Sequence, residues 1–140
     1  MRIVVDTNVF VGAVLSRGPA NAIVAACLRG RFIPLMGTTL LNEYEDILGR
    51  RTLFARSRLN PQEREELLDI FLAACEWTPV YFGWRPNLRD EGDNHLVELA
   101  VAGGARCIVT RNLRDLRRME LRFPGLRVLS PNDLLEELTR

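Results

Sequence analysis

The chain contains no lysine; all 19 of its basic residues are arginine. That absence excludes mechanisms built on an amine, including Schiff-base catalysis and P-loop phosphate binding. Histidine is almost as scarce. His95 is the single one, so no imidazole cluster exists for zinc or copper. It reads as an exposed helix residue, with metal ligation the lesser reading. Cysteine is sparse and unpatterned: Cys27, Cys75 and Cys107 each sit in apolar surroundings and form no C-x-x-C pair. An odd count at such spacing suits neither zinc nor a disulfide framework, and buried structural thiols are expected. No apolar run reaches the roughly 18–20 residues of a membrane span. The opening stretch MRIVVDTNVFVGAVL is broken by Asp6 and Asn8 and lacks a small-residue cleavage site, so it does not read as a signal peptide. A cytoplasmic protein is expected.

What is present is an ordinary globular balance in 140 residues, with 47% apolar and 26% charged residues. No repeat, low-complexity tract or linker divides the chain, so residues 1–140 read as a single domain. A formal net charge of +1 gives no general pull toward nucleic acid. Any such binding must come from local arginine patches.

Short apolar runs alternate with helical periodicity. Strands are expected at Arg2–Val5, Phe32–Met36, Thr78–Phe82, Cys107–Thr110 and Leu126–Leu129. Helices are expected at Val9–Leu15, Pro19–Arg29, Thr38 or Thr39 to Leu48, Pro61 to about Glu76, Asp93–Gly103 and Asp115–Glu120. Ser130-Pro131-Asn132-Asp133 starts a last helix, as Asn60-Pro61-Gln62-Glu63 starts an earlier one. The alternation implies a parallel sheet covered on both faces, an α/β architecture. Ligands of such sheets bind outside the C-terminal strand edge, near a topological switch point.

Carboxylates collect at that edge. Asp6 follows the first strand, flanked by Thr7 and Asn8, although Asp-Thr-Asn is also a plain helix-capping turn. Glu43 lies beside the buried stripe of Leu40, Tyr44 and Leu48, whereas Asp46 lies farther round the helix. Asp90 and Asp93 precede an apolar helix, where acidic residues also suit the helix dipole. Asn112 and Asp115 follow the fourth strand, and Asp115 doubles as a helix cap. Each has a bland explanation; their joint placement does not. Converging carboxylates without lysine repel one another unless a cation neutralises them. Hard oxygen ligands select Mg²⁺ or Mn²⁺, and two such ions can serve phosphodiester hydrolysis.

These residues carry a family resemblance. Ile3-Val4-Val5-Asp6-Thr7-Asn8-Val9, Leu41-Asn42-Glu43-Tyr44, the stretch from Leu88 to Ala100, Ile108-Val109-Thr110-Arg111-Asn112, Asp115-Leu116 and the stretch from Val128 to Leu135 occur in order along nearly the whole chain. The chain resembles the PIN-domain family, in particular the toxin components of bacterial and archaeal toxin–antitoxin pairs. The resemblance implies a three-layer α/β/α fold with about five parallel strands in the order 3-2-1-4-5. It also implies a Mg²⁺- or Mn²⁺-dependent ribonuclease with one or two ions, often dimeric and held inactive by an antitoxin. Its acidic quartet falls on Asp6, Glu43, Asp93 and Asp115, with Asp90 an accessory acid. Many members carry aspartate where this chain has Asn112, a neutral ligand with a weaker pull on a metal.

On this reading Asp6, Glu43 and Asp93 hold a first metal. Asp90 and Asp115 hold a second or orient the attacking water. Thr7, Asn8, Thr110 and Asn112 act as accessory polar groups. Arg111, Arg114, Arg117, Arg118 and Arg122 form a strip that could contact RNA phosphates, or simply a solvated helix face. Two other readings stand beside it. One is a degenerate PIN fold that binds RNA or protein without catalysis. The other is a haloacid-dehalogenase-like phosphatase, which wants a second aspartate where this chain has Asn8, and a lysine.

Overall fold

The structure, a computed structural model, describes residues 1–80, 94–117 and 123–139. Five strands form one parallel sheet: β1 (Arg2–Val5), β2 (Ile33–Met36), β3 (Glu76–Trp77), β4 (Cys107–Val109) and β5 (Arg127–Leu129). Their order across the sheet is β3-β2-β1-β4-β5. The helices are α1 (Thr7–Leu15), α2 (Pro19–Leu28), α3 (Thr38–Leu48), α4 (Pro61–Ala74), α5 (Asn94–Gly103), α6 (Leu113–Leu116) and α7 (Pro131–Leu138). This is the α/β/α architecture expected from the sequence.

The central strand shows why the sheet is covered on both sides. Ile3, Val4 and Val5 are successive residues and therefore face alternate sides, yet each is at most 1% exposed. Helix α5 packs against β1, β2 and β4, α4 against β2, and α7 against β5. Among the described residues, no single helix is long and apolar enough to cross a membrane.

Helix ends follow local chemistry. Helices α4 and α7 begin in full capping boxes, Asn60 with Glu63 and Ser130 with Asp133, each with proline at the first turn. Gly104 follows α5 with φ +68°, a left-handed conformation that glycine adopts without steric cost. Helix α1 starts two residues earlier than the apolar pattern suggests, because Asp6 itself is its N-cap.

Two elements differ from the sequence reading. Strand β3 is Glu76–Trp77 rather than Thr78–Phe82; Thr78–Val80 is not strand, and residues 81–82 lie outside the described residues. As an edge strand it exposes both side chains, so it carries no buried apolar run to find. Its place is fixed by pairing with β2, Leu35 opposite Glu76 and Met36 opposite Trp77. Helix α6 is Leu113–Leu116 with Asn112 as N-cap, rather than a helix that begins at Asp115.

Strand order places the switch point at β1, whose neighbours β2 and β4 lie on opposite sides. The backbone ladder continues past the strand ends there. Asp6 N–H donates to Val109 O at 3.0 Å, and Thr110 N–H donates to Leu129 O at 2.9 Å. Both residues are thus held at the C-terminal edge, side by side.

Candidate active site

Asp6 is the centre of a hydrogen-bond cluster. Its Oδ1 accepts from Thr7 N–H at 2.7 Å, and the Thr7 hydroxyl lies 3.4 Å away. Its Oδ2 accepts from the Thr110 hydroxyl at 2.9 Å and from Asn8 Nδ2 at 3.3 Å. The capping and site readings of Asp-Thr-Asn are therefore compatible. One oxygen caps α1, where a negative charge also suits the helix N-terminus, and the other faces Thr110. Asp6 is only 8% exposed, and among the described residues no basic side chain pairs with it. Its charge is carried by neutral donors, a strong arrangement for a carboxylate.

Thr110 is fully buried, and its hydroxyl is used to capacity. It donates to Asp6, and its two lone pairs face Asn112 N–H at 3.0 Å and Asn8 Nδ2 at 3.3 Å. Asn8 closes the circuit: its Oδ1 accepts Arg111 N–H at 3.0 Å. The start of α1 and the end of β4 are thereby locked together around one carboxylate.

Asn112 is a hydrogen-bond donor to a neighbouring carboxylate. Its Nδ2 donates to Asp115 Oδ2 at 2.8 Å, which orients this exposed carboxylate from one helical turn away. An aspartate in that position could not donate.

Tyr44, the neighbour of Glu43, ties its helix to β1. Tyr44 is fully buried, and its hydroxyl donates to Val5 O at 2.6 Å, pinning α3 to the end of β1. Its ring packs on Phe10 and Phe71, with centroids 5.3 and 5.9 Å away. Burial pushes its hydroxyl well above the usual tyrosine value, and Cys75, Asp6 and Glu43 are among the groups that add to this. Tyr44 thus ties the elements that carry Asp6 and Glu43. The sequence reading placed it only in the apolar stripe.

His95 departs from expectation. It is not an exposed helix residue; its side chain is 13% exposed, and Nε2 lies 3.0 Å from Glu43 Oε1. Close as the contact is, neither ring nitrogen has a hydrogen-bond partner among the described residues. Spacing alone gave no sign of it, because α5 and α3 are far apart in sequence.

Asp90, Asp93, Arg118 and Arg122 lie outside the described residues. Among the described residues no three acidic, histidine or cysteine side chains come close enough together to hold a metal ion. The strip arginines Arg111, Arg114 and Arg117 are exposed. Arg111 lies along α1, its Nη1 3.1 Å from the point where a Cβ on Gly12 would sit. A cavity of about 310 Å³ opens elsewhere, between β5 and α7. Two of its three carboxylates are paired, Glu137 with Arg127 and Asp133 with Arg117 at 4.0 Å, and Glu136 is the third. It offers no match to the carboxylate edge.

Residues 2–114 match the family model described as PIN domain. Comparison with curated proteins gives no match. Among solved structures, the chain is similar to one from VapBC2 of Rickettsia felis, determined bound to a DNA fragment from their promoter. The TM-score is 0.57 at 17% identity, covering 93% of this chain and 98% of that one. At that identity the likeness concerns the fold. The family match spans most of the sequence and includes Asp6, Glu43, Thr110 and Asn112: the chain belongs to the PIN-domain family.

Proposed function

We propose that this chain, as one PIN domain, is a metal-dependent endoribonuclease that hydrolyses RNA phosphodiester bonds in the cytoplasm. We read it as the toxin of a type II toxin–antitoxin pair, held by a cognate antitoxin and able to form a homodimer. The observation that carries the reading is the Asp6 carboxylate, fixed by Thr7, Asn8 and Thr110 at the switch point and without a cationic partner among the described residues. The VapBC2 likeness supports the partner assignment at the level of fold.

The donor set suits Mg²⁺ or Mn²⁺, since it is made of hard oxygens with no competing lysine. Asp6, Glu43 and Asp93 would hold a first ion, and Asp90 and Asp115 would serve a second. Such an ion, when bound, lowers the pKa of a coordinated water and stabilises charge on the phosphoryl oxygens. The chain's own residues do the positioning. Thr110 and Asn8 hold Asp6 Oδ2, Asn112 orients the Asp115 carboxylate, and Tyr44 pins the helix that carries Glu43 to the end of β1. Arg111, Arg114, Arg117 and Arg118 contact RNA phosphates, which orient the strand without reading its sequence.

One feature favours the degenerate, non-catalytic reading: Asn112 is a neutral side chain where a carboxylate would pull more strongly on a metal. Titrating Mn²⁺ against labelled RNA, with and without EDTA, separates the two. Cleavage that requires Mn²⁺ and is lost in Asp6→Asn and Asp93→Asn, at unchanged far-UV circular dichroism, is the expected result. Undiminished cleavage by either variant overturns the site. RNA binding without cleavage identifies the degenerate module.

A further inference from the structure

Between α3 and α4 the chain reads Gly49-Arg50-Arg51-Thr52-Leu53-Phe54-Ala55-Arg56-Ser57-Arg58-Leu59-Asn60. It contains four arginines and no acidic residue. All four are exposed. Arg50 pairs with Asp46 at 2.9 Å, a solvent-exposed contact of small energetic weight. Arg51, Arg56 and Arg58 have no acidic partner among the described residues.

The segment is held in place from beneath. Phe54 is 4% exposed, and the Arg64 guanidinium sits 4.5 Å above its ring. Arg64 is 7% exposed and donates through Nη1 to Leu59 O at 3.0 Å. Burying a cation without a carboxylate costs free energy. Here it fastens both ends of the loop: the turn at Thr52–Phe54 and the entry to α4, where Ser57 Oγ accepts Leu59 N–H at 3.1 Å. The exposed arginines are therefore displayed from a fixed scaffold.

We infer that this segment is a second phosphate-binding surface, which takes the backbone of the single-stranded RNA whose cleavage is proposed above. It rests on that reading and supplies a contact distinct from the Arg111–Arg118 strip. Helix α3 carries both Glu43 and this loop. Glu43 lies five positions before Leu48, the last residue of the helix, about 8 Å along its axis at about 1.5 Å per residue, and the loop follows directly. A strand with one phosphate at the carboxylates can follow α3 to the arginines. An acidic protein partner fits less well. Protein interfaces place aromatic anchors in a charge-depleted core, whereas the aromatic of this loop, Phe54, is already buried under Arg64.

The test uses the full chain with Asp6→Asn in EDTA, so that binding is read without cleavage. Anisotropy of a labelled single-stranded RNA gives Kd between about 50 and 200 mM NaCl, where counterion release sets the slope. Adding Arg51→Gln, Arg56→Gln and Arg58→Gln should weaken binding at least tenfold at 100 mM salt. The log–log salt slope should fall by about two, at about 0.7 per lost phosphate contact. The corresponding triple lysine variant should keep most of the slope. Unchanged affinity and slope in the glutamine variant overturn the inference. So does loss of binding to poly-glutamate with RNA binding intact, which would make the loop a protein-docking surface. Mn²⁺-dependent cleavage by the otherwise native chain is scored separately. Failure of the ribonuclease reading is thereby distinguished from failure of this surface.

Discussion

Thr110 shows how much one hydroxyl can do. Fully buried itself, it holds Asp6 Oδ2, receives Asn112 N–H and faces Asn8. Thr110→Val keeps the shape and removes every one of those bonds. Leaving buried polar groups unpaired costs about 1–3 kcal/mol. Loss of a group that orients a metal ligand typically lowers metal affinity or activity about 10–100-fold. Urea midpoints and initial cleavage rates should both drop, and Thr110→Ser should restore both. A stability loss with cleavage intact would reduce Thr110 to a structural cap. Asn112 makes the complementary case. Asn112→Asp replaces a donor to Asp115 with a second negative charge, and like charges at such range repel. The variant should be less stable than the parent in EDTA and bind Mn²⁺ more tightly by calorimetry. Equal Mn²⁺ affinity would show that this pair does not face the ion.

At the scale of elements, close approach matters more than propensity. Gly103, in the last turn of α5, rests directly on β2. A Cβ there would lie 2.3 Å from Leu35 Cδ1 and 3.2 Å from the Thr78 side chain. Leu35 is 1% exposed and Thr78 8%, so neither can swing into solvent. Alanine would gain up to about 1 kcal/mol in helix propensity, but overpacking a tight core costs about 1–3 kcal/mol. Gly103→Ala should therefore lower the urea midpoint, and an unchanged or raised midpoint would refute this packing. The same contact sets the height of α5 on the sheet, and α5 brings His95 against Glu43.

Across the whole molecule, Cys27 and Cys107 are core groups and Cys75 is partly buried against the core. Burial pushes Cys27, Cys75 and Cys107 from 9.0 up to about 12. A thiol harder to ionise in the folded state contributes stability in full below its unfolded value. That contribution is lost as pH rises from 9.0 toward about 12. Buried Tyr44 acts in the same direction above 10.0. Stability by urea titration should thus be level near pH 8 and decline by pH 10.5, and a disulfide-exchange reagent should label Cys27 and Cys107 only as the protein unfolds. Rapid native labelling at pH 8 would contradict their burial.

The sequence by itself determined the strand–helix alternation, the parallel sheet and the prominence of Asp6, because those are written in local periodicity and in a carboxylate placed at a strand end. It flagged Thr110 and Asn112 by position after β4. Its omissions have a common cause. Edge strand β3 pairs on one side only and needs no apolar run. The donation from Asn112 to Asp115, the anchoring of α3 by Tyr44 and the meeting of His95 with Glu43 are distances between side chains. The last two join residues far apart in the chain, and no spacing rule encodes how two helices are set on a sheet. Tertiary packing decided which polar groups face one another. The sequence had already decided which polar groups would be there.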